Sequence, residues 1–411
     1  VKVAYVTQPH DAVLPPRQNS IGLIIYNTAL EVAPSAQVTL YLRAGASGAL
    51  VNGSPLQVAY ARSLSDRVLQ SLANRWPRWM RPQSLVNRAD AYLGWASAVA
   101  RALRGAPVDV VHVMNYWAWS QRLRGNRLVL EMQSEWLSQM NREAVAEQLR
   151  AVDAVVAVSG HVERLFRAAF PSYHGIVSVV PNGVDIDQFC PAPTPIEDPD
   201  SQRLLYVGRV SPEKGVHTLL EAFKLVAARF PRAHLDLVGG RGAMPMRLLV
   251  SLSDDPLVRS LERFYAPDGS SDYPERLDAL VREAGLEDRV TFHSYLPHKE
   301  IISYYQRANL VVNPSLSETF GISIVEAMAC GVPVVGTRIG GMLDTIVDEV
   351  GRAVPPEDPQ RLAQAMCDIL EDRALARRMG AAGRQRAMAK FTWKARANRL
   401  LDVYQRVCDA K

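Results

Sequence analysis

The sequence predicts an α/β protein built from two doubly wound domains, and three observations carry that prediction. The chain is 411 residues long, more than one ordinary domain and suited to two. Short β-branched runs alternate with longer helix-periodic stretches, first over residues 1–190 and again over 203–390. Between them, residues 190–202 read CPAPTPIEDPDSQ, with four prolines and no apolar period, which marks a linker.

In the first half, strands are predicted at 1–7, 37–42, 108–114, 127–132, 154–159 and 177–181, with helices at 85–104 and 161–169. In the second half, strands are predicted at 204–208, 234–238, 290–294, 310–313, 332–336 and 352–354. Helices are predicted there at 215–229, 273–284, 299–307, 322–329 and 359–371. Strand–helix alternation of this kind needs crossover connections, hence parallel strands in a doubly wound sheet. Residues 242–272 exceed an ordinary connection and read as an insertion or lid. Open α/β sheets hold ligands beyond the carboxyl ends of their strands, so function is expected in a cleft between the two domains.

Composition narrows the class. Hydrophobic residues are 48% and charged residues 22%, ordinary globular usage. No apolar run approaches the roughly 20 residues that span a bilayer. The first residues, VKVAYV, read as a buried strand rather than a leader. The four cysteines, Cys190, Cys330, Cys367 and Cys408, have no metal-site spacing and suit a reducing, cytoplasmic compartment. The net charge of +5 arises in the first 190 residues, which hold 18 Lys and Arg against 13 Asp and Glu. Seventeen of those 18 cations are arginine, a residue suited to phosphate or anionic head groups as well as to plain solubility.

Two segments carry chemistry. After the strand ending near Gly208, a turn presents Arg209 and Lys214 just before a helix beginning near Gly215. Two cations at a helix amino end make a cradle for a diphosphate. The second segment runs from Asn313 to Val335. It places Glu318 in a polar loop, Phe320 and Gly321 at the start of a helix, and Glu326 in that helix, eight residues after Glu318. Two carboxylates around a helix amino end can accept hydrogen bonds from ligand hydroxyls at two points, and Glu326 could equally be a salt-bridged helix residue.

With these residues the chain resembles the retaining glycosyltransferases of family GT4, which have the GT-B fold of two facing Rossmann-like domains. The matching elements are Glu318 and Glu326 with Phe320-Gly321, and Gly208-Arg209 with Glu213-Lys214-Gly215. Pro181-Asn182-Gly183-Val184-Asp185 with Phe189, Gly331 with Pro333, and Gly340-Gly341 complete the set. The resemblance implies an acceptor-binding domain over 1–190, a linker at 191–202 and a nucleotide-sugar domain over 203–390. It also implies a carboxyl-terminal helix at 391–411 that packs back onto the first domain. Arg209 and Lys214 would bind the diphosphate of a nucleotide-sugar, a UDP-sugar by the family's commonest usage. Glu326 would bind the ribose, Glu318 the transferred sugar, and the backbone of Phe320, Gly321 and Ile322 both sugar and phosphate. Tyr295 and Leu296 fall where the base would stack, and Glu318, Arg209 and Lys214 would be the catalytic set.

On the acceptor side the pattern departs from the family. His112 is followed two positions later by Met114 where a second histidine is usual, Gln133 stands where a later strand often ends in histidine, and the amino-terminal double glycine is absent. His112 is an acceptor-side candidate or a satisfied core histidine. Gln133, which can hydrogen-bond but not carry a proton, is a candidate with Asn182 and Gly183 on the cleft-facing turn of the first domain. Asp185-Ile-Asp187 spells a metal-binding pattern of a different fold, but Arg209 and Lys214 already supply the charge, so no metal and no cofactor are expected. The acceptor would be a glycan or lipid-linked saccharide. The arginine–tryptophan alternation around Arg75, Trp79 and Arg81 suits peripheral contact with an anionic membrane, or a core loop with solvated arginines. No nucleic-acid module is present. A hydrolase, epimerase or phosphorylase of the same fold, or a non-catalytic nucleotide-sugar binder, are the alternatives.

Overall fold

The computed structural model describes residues 1–75, 91–193 and 202–410, with the side chains of 73–75 left aside. Two compact units divide it. The first comprises Val1–Val158, Val162–Pro181 and Trp393–Lys411; the second comprises Ser159–His161 and Asn182–Thr392.

The first unit is a seven-stranded, all-parallel sheet in the order β3-β2-β1-β4-β5-β6-β7. Its strands are β1 Lys2–Val6, β2 Gln37–Arg43, β3 Gln57–Ala61, β4 Val110–Met114, β5 Arg127–Met132, β6 Ala154–Ala157 and β7 Ile176–Val179. The central strands are buried on both faces and therefore read as unbroken apolar runs such as Leu128-Val129-Leu130. The helix Trp393–Asp409 belongs to this unit, because its Ala397, Leu400, Val403, Tyr404 and Val407 lie in the same core as Val3, Tyr5 and Val129. Several elements add to the sequence expectation, among them the edge strand β3, the helices Leu64–Arg75 and Arg142–Leu149, and the helix Ser20–Val32, which is capped by Asn19, whose side chain accepts the Gly22 N–H at 2.8 Å. The helix expected at 85–104 is seen as Leu93–Gly105; residues 76–90 lie outside the described residues.

The second unit is a six-stranded parallel sheet in the order β10-β9-β8-β11-β12-β13. Its strands are β8 Gln202–Val207, β9 Ala233–Val238, β10 Val290–His293, β11 Leu310–Asn313, β12 Val334–Thr337 and β13 Gly351–Val354. Strand order reverses between β8 and β11, so the loops leaving their carboxyl ends flank a topological switch point. The 242–272 segment is no free lid. It folds into short helices, Met246–Leu249 and Pro256–Arg259, and buries Val250, Val258, Leu261 and Phe264 in the core of this unit.

The chain passes between the units at Pro181/Asn182, ahead of the proline-rich stretch. Asn182–Cys190 is held in the second unit by specific contacts. Phe189 packs against the rings of His298 and Tyr305, with centroids 4.9 and 5.8 Å away, and Arg384 donates to the carbonyls of Ile186 and Phe189. Residues 194–201 of the expected linker lie outside the described residues.

Candidate active site

The switch point of the second unit gathers the predicted cations and one of the two acids. The loop after β8 carries Arg209, Glu213 and Lys214; the loop after β11 carries Glu318, Phe320 and Gly321. Main-chain hydrogen bonds join the loops, with Leu316 and Ser317 N–H both donating to the Glu213 carbonyl at 2.8 and 3.3 Å. Gly215 makes the approach possible. Its φ is +65°, and a Cβ there would stand 2.1 Å from the Pro314 carbonyl oxygen. Gly340, at φ +47°, does the same on the other side: an added Cβ would lie 2.0 Å from the Glu318 carbonyl, which accepts the Gly341 N–H at 2.9 Å.

Lys214 Nζ lies 2.8 Å from Glu318 Oε2, and both side chains are mostly buried. Burial alone would raise the Glu318 carboxyl, but the charge and hydrogen bond of Lys214, with the N–H groups of Phe320 and Gly321, hold it below its ordinary value. Gly321 sits in the left-handed region and opens the helix Ile322–Ala329 without any side-chain cap, which leaves that amino end to a ligand. The Phe320 ring is buried, edge-on to Phe391. Arg209 is half exposed, 3.7 Å from the buried Glu213, whose Oε1 accepts from Ser211 Oγ at 2.6 Å; Tyr206 OH donates to the Arg209 carbonyl at 2.6 Å.

Glu326 forms a second cluster. It is 5% exposed, and its two oxygens accept from His298 Nε2 and from the Tyr305 hydroxyl, each at 2.7 Å. Burial would lower the His298 pKa; the hydrogen bond and charge of Glu326, helped by Asp185, outweigh it and raise it above 6.5. Sequence reasoning missed His298 and Tyr305. The signal available was their spacing of seven, which puts both on one face of the helix His298–Arg307. Tyr295 and Leu296 follow the end of β10 by two and three residues; Tyr295 is 71% exposed and Leu296 half-buried.

The acceptor-side candidates are placed as follows. His112 lies inside the central strand β4 with no exposed surface, its Nδ1 2.7 Å from the Tyr404 hydroxyl and its Nε2 3.1 Å from Glu131 Oε2. It is a core histidine, because the helix Trp393–Asp409 covers that face of the sheet. Asn182 and Gly183 are buried residues of the second unit, where the Val184 N–H donates to the Phe391 carbonyl at 2.7 Å. Gln133 is half-buried just past β5 and donates from Nε2 to Glu131 Oε1 at 2.5 Å, while its N–H donates to Asn115 Oδ1. Asp185 Oδ1 accepts the N–H groups of Asp187 and Gln188, so its carboxylate caps a turn.

Comparison with known proteins agrees on the class of protein. A model described as glycosyl transferases group 1 matches residues 194–386, and one described as glycosyltransferase family 4 matches residues 58–188. The D-inositol 3-phosphate glycosyltransferase of Corynebacterium urealyticum is 32% identical over 246 residues, covering 57% of this chain and 52% of the relative. That of Frankia alni is 32% identical over 272 residues, covering 64% and 60%. The matches thus span about half to three-fifths of those relatives' length. Among solved structures, sucrose-phosphate synthase from Thermosynechococcus elongatus superposes with a TM-score of 0.75 at 23% identity over all of both chains. Anabaena Alr3699/HepE in complex with UDP gives 0.68 at 21% identity, over 99% of this chain and 100% of that one.

Proposed function

This chain belongs to the group 1, family 4 glycosyltransferases of GT-B fold, and on that premise we propose that it moves a hexose-type sugar from a nucleoside-diphosphate sugar to an acceptor hydroxyl with retention of configuration. The observation that carries the reading is the Lys214–Glu318 pair at the β8/β11 switch point, beside an uncapped helix amino end. A UDP-sugar leads among donors, in keeping with the UDP in the similar HepE structure. The acceptor is a glycan or lipid-linked saccharide, or a phosphorylated ring such as the name of the inositol 3-phosphate relatives indicates.

In this reaction the anomeric carbon–phosphate oxygen bond breaks and its electron pair stays on the diphosphate. Arg209, Lys214 and the N–H groups at Ile322–Ala329 stabilise that charge more as it develops than in the bound donor, which is what lowers a barrier. Phe320, Gly321 and Ile322 line the sugar and phosphate with backbone groups. Glu318 accepts from sugar hydroxyls once Lys214 turns to phosphate, and Glu326 accepts from the ribose with its remaining lone pairs while His298 and Tyr305 fix its orientation. Tyr295 and Leu296 flank the base. The acceptor oxygen bonds the anomeric carbon from the face the diphosphate leaves, and its proton passes to the leaving phosphate oxygen. Because two cations supply the charge, no metal is required; Gln133 is the acceptor-side hydrogen bonder.

Peripheral contact with an anionic membrane completes the reading. It is supported by the exposed Leu64, Val68 and Leu72, spaced by four along the helix Leu64–Arg75, which leads into the Arg75, Trp79 and Arg81 segment. From Trp76 to Asp90 that segment lies outside the described residues. No described helix is long and apolar enough to cross a membrane.

The test is product analysis with labelled UDP-glucose and UDP-N-acetylglucosamine, with and without a chelator. Transfer to added saccharide with the α-configuration kept supports the proposal. Hydrolysis alone or binding without turnover points to the other classes, and loss of activity on chelation removes the metal-free mechanism.

A further inference from the structure

A pair of cysteines lies against the Glu326 cluster in the second unit. Cys190 closes the Asn182–Cys190 stretch, and Cys330 follows the last residue of the helix Ile322–Ala329. Contacts on both sides bring the two together. One nitrogen of Arg384, Nη1, donates to the carbonyl of Phe189 at 2.8 Å and to that of Ala329 at 2.7 Å, the residues just before the two cysteines. Just after them, a Cβ on Gly331 would stand 3.4 Å from Pro191 Cγ. Each cysteine therefore sits between neighbours that meet, the close approach of two backbones that a disulfide requires. Gln306 Nε2 fixes the Cys190 carbonyl at 2.9 Å, and the Cys330 N–H donates to the Glu326 carbonyl at 3.0 Å.

Both are free thiols, and their surroundings differ. Cys190 is half-buried, within reach of a small oxidant, whereas Cys330 is 4% exposed. Burial pushes the Cys330 thiol up, and the charges of Glu326 and of a Cys190 thiolate add to the rise. Thiolate chemistry therefore starts at Cys190. The pair flanks Glu326 from two sides. Phe189, one residue before Cys190, packs on the rings of His298 and Tyr305, which hold the Glu326 oxygens, and Cys330 caps the helix that carries Glu326.

We propose that Cys190 and Cys330 form a reversible disulfide under peroxide, and that the bridge displaces Glu326. The effect on donor binding rests on the transfer reading given above; the bridge itself does not. The Cys190 thiolate attacks one peroxide oxygen, the O–O bond breaks, and Cys190 becomes a sulfenic acid as hydroxide leaves and is protonated to water. The Cys330 sulfur then attacks the Cys190 sulfur. The S–S bond forms, the S–O bond breaks, and the departing hydroxide takes the Cys330 proton as water. Two thiols and one peroxide thus give one disulfide and two waters, and a dithiol reductant reverses the step. Linking the sulfurs pulls the end of the helix toward Phe189-Cys190, and Glu326, one turn before Cys330, moves with it.

The full chain is reduced, desalted and treated with hydrogen peroxide; its remaining thiols are then blocked with N-ethylmaleimide and it is digested without reductant. Mass spectrometry is expected to find a peptide linking Cys190 to Cys330 that disappears with dithiothreitol. UDP affinity, measured calorimetrically, is expected to fall about tenfold in the oxidised chain, the loss of one charged hydrogen bond, and to return on reduction. Cys190→Ser should bind UDP like the wild type and keep that affinity after peroxide. In Cys330→Ala the Cys190 sulfenic acid should persist and be trapped by dimedone. No link in the wild type, with Cys190 unmodified, present only as a sulfenic acid or joined to Cys408, overturns the bridge. A link that leaves UDP affinity unchanged overturns the displacement of Glu326. If UDP does not bind the reduced chain, the donor reading fails, while the linked peptide still decides the bridge.

Discussion

Lys214 and Glu318 stand 2.8 Å apart although 103 residues separate them, and they reach each other from loops leaving β8 and β11, the adjacent strands where the order of the second sheet reverses. Each neutralises the other in a site that is largely shielded from water, so on the proposed function an arriving diphosphate would exchange one anionic partner of Lys214 for another. In the proposed reaction that exchange would free Glu318 to accept from hydroxyls, and donor recognition would be coupled to release of the carboxylate.

Lys214→Ala is expected to lower turnover about 10²–10³-fold, the loss on removing one preorganised charge contact. The fold should persist, since the loop is held by main-chain bonds to the Glu213 carbonyl. Turnover and circular dichroism are the measurements, and near-normal turnover would remove the diphosphate role.

Losing Lys214 also changes the acid beside it. With its largest stabilising partner gone, Glu318 keeps its burial penalty, and its pKa should rise from below to above the ordinary value. In the wild type the sign is that of a depressed acid: its stabilising contribution is present above the ordinary carboxylate value and fades as pH falls through the lower folded value. Carboxyl titration by NMR in both proteins checks this, and identical Glu318 titration would contradict it.

Much of this was legible in the sequence because the information is local. The strands beginning at Leu310 and Arg127 are buried on both faces and advertise themselves as apolar runs. Arg209, Lys214, Glu318 and Gly340 sit on short contiguous motifs with turn glycines. β3 was not legible: QVAYA is an edge strand with a partly exposed pattern and only one fully buried residue. His298 and Tyr305 acquire their role only by meeting Glu326, which lies on another helix. His112 looks like a strand-end histidine until Tyr404 arrives, 292 residues later, to cover it. The placement of Asn182 and Gly183 likewise depends on Phe189 finding His298 and Tyr305.

Gly340→Ala should cut donor affinity and turnover together. The alanine would need a left-handed backbone, and its methyl would meet the Glu318 carbonyl at 2.0 Å, so the loop carrying Glu318 must retreat. A variant with unchanged KM and kcat for a UDP-sugar would show that the loop position is immaterial.

Glu326 raises the pKa of His298 above its ordinary value, and the sign for a raised base is opposite to that for an acid. Its contribution is complete below its ordinary 6.5 and is lost as pH climbs through the higher folded value. His298→Gln should cost about 1 kcal/mol near pH 6, a charged hydrogen bond discounted for an imidazole that is 40% exposed. The gap in Tm from wild type should narrow as pH rises. A constant gap would mean that the pair carries no charge.

The buried core of the first unit should show acid sensitivity of its own. Burial pushes the Glu131 carboxyl up, yet the charge of Arg396 and the contact with His112 more than offset it and bring it from 4.5 to about 2. Arg396 is 1% exposed; it donates to Glu131 Oε1 at 2.5 Å, to Thr28 Oγ1 at 2.7 Å and to the carbonyls of Val180 and Pro181. The stabilisation is full above pH 4.5 and is lost as pH falls toward 2, so the wild-type Tm should drop through that window. Glu131→Gln leaves a guanidinium buried without its counter-charge and should cost about 3–5 kcal/mol at neutral pH, while removing most of the Tm slope below pH 4.5. The double substitution Glu131→Gln with Arg396→Met deletes the orphaned charge as well and should recover part of the loss, because an uncompensated buried cation is more costly than an apolar replacement. Equal stability of the single and double variants would mean that water reaches Arg396, and the helix Trp393–Asp409 would then be held by its apolar face alone.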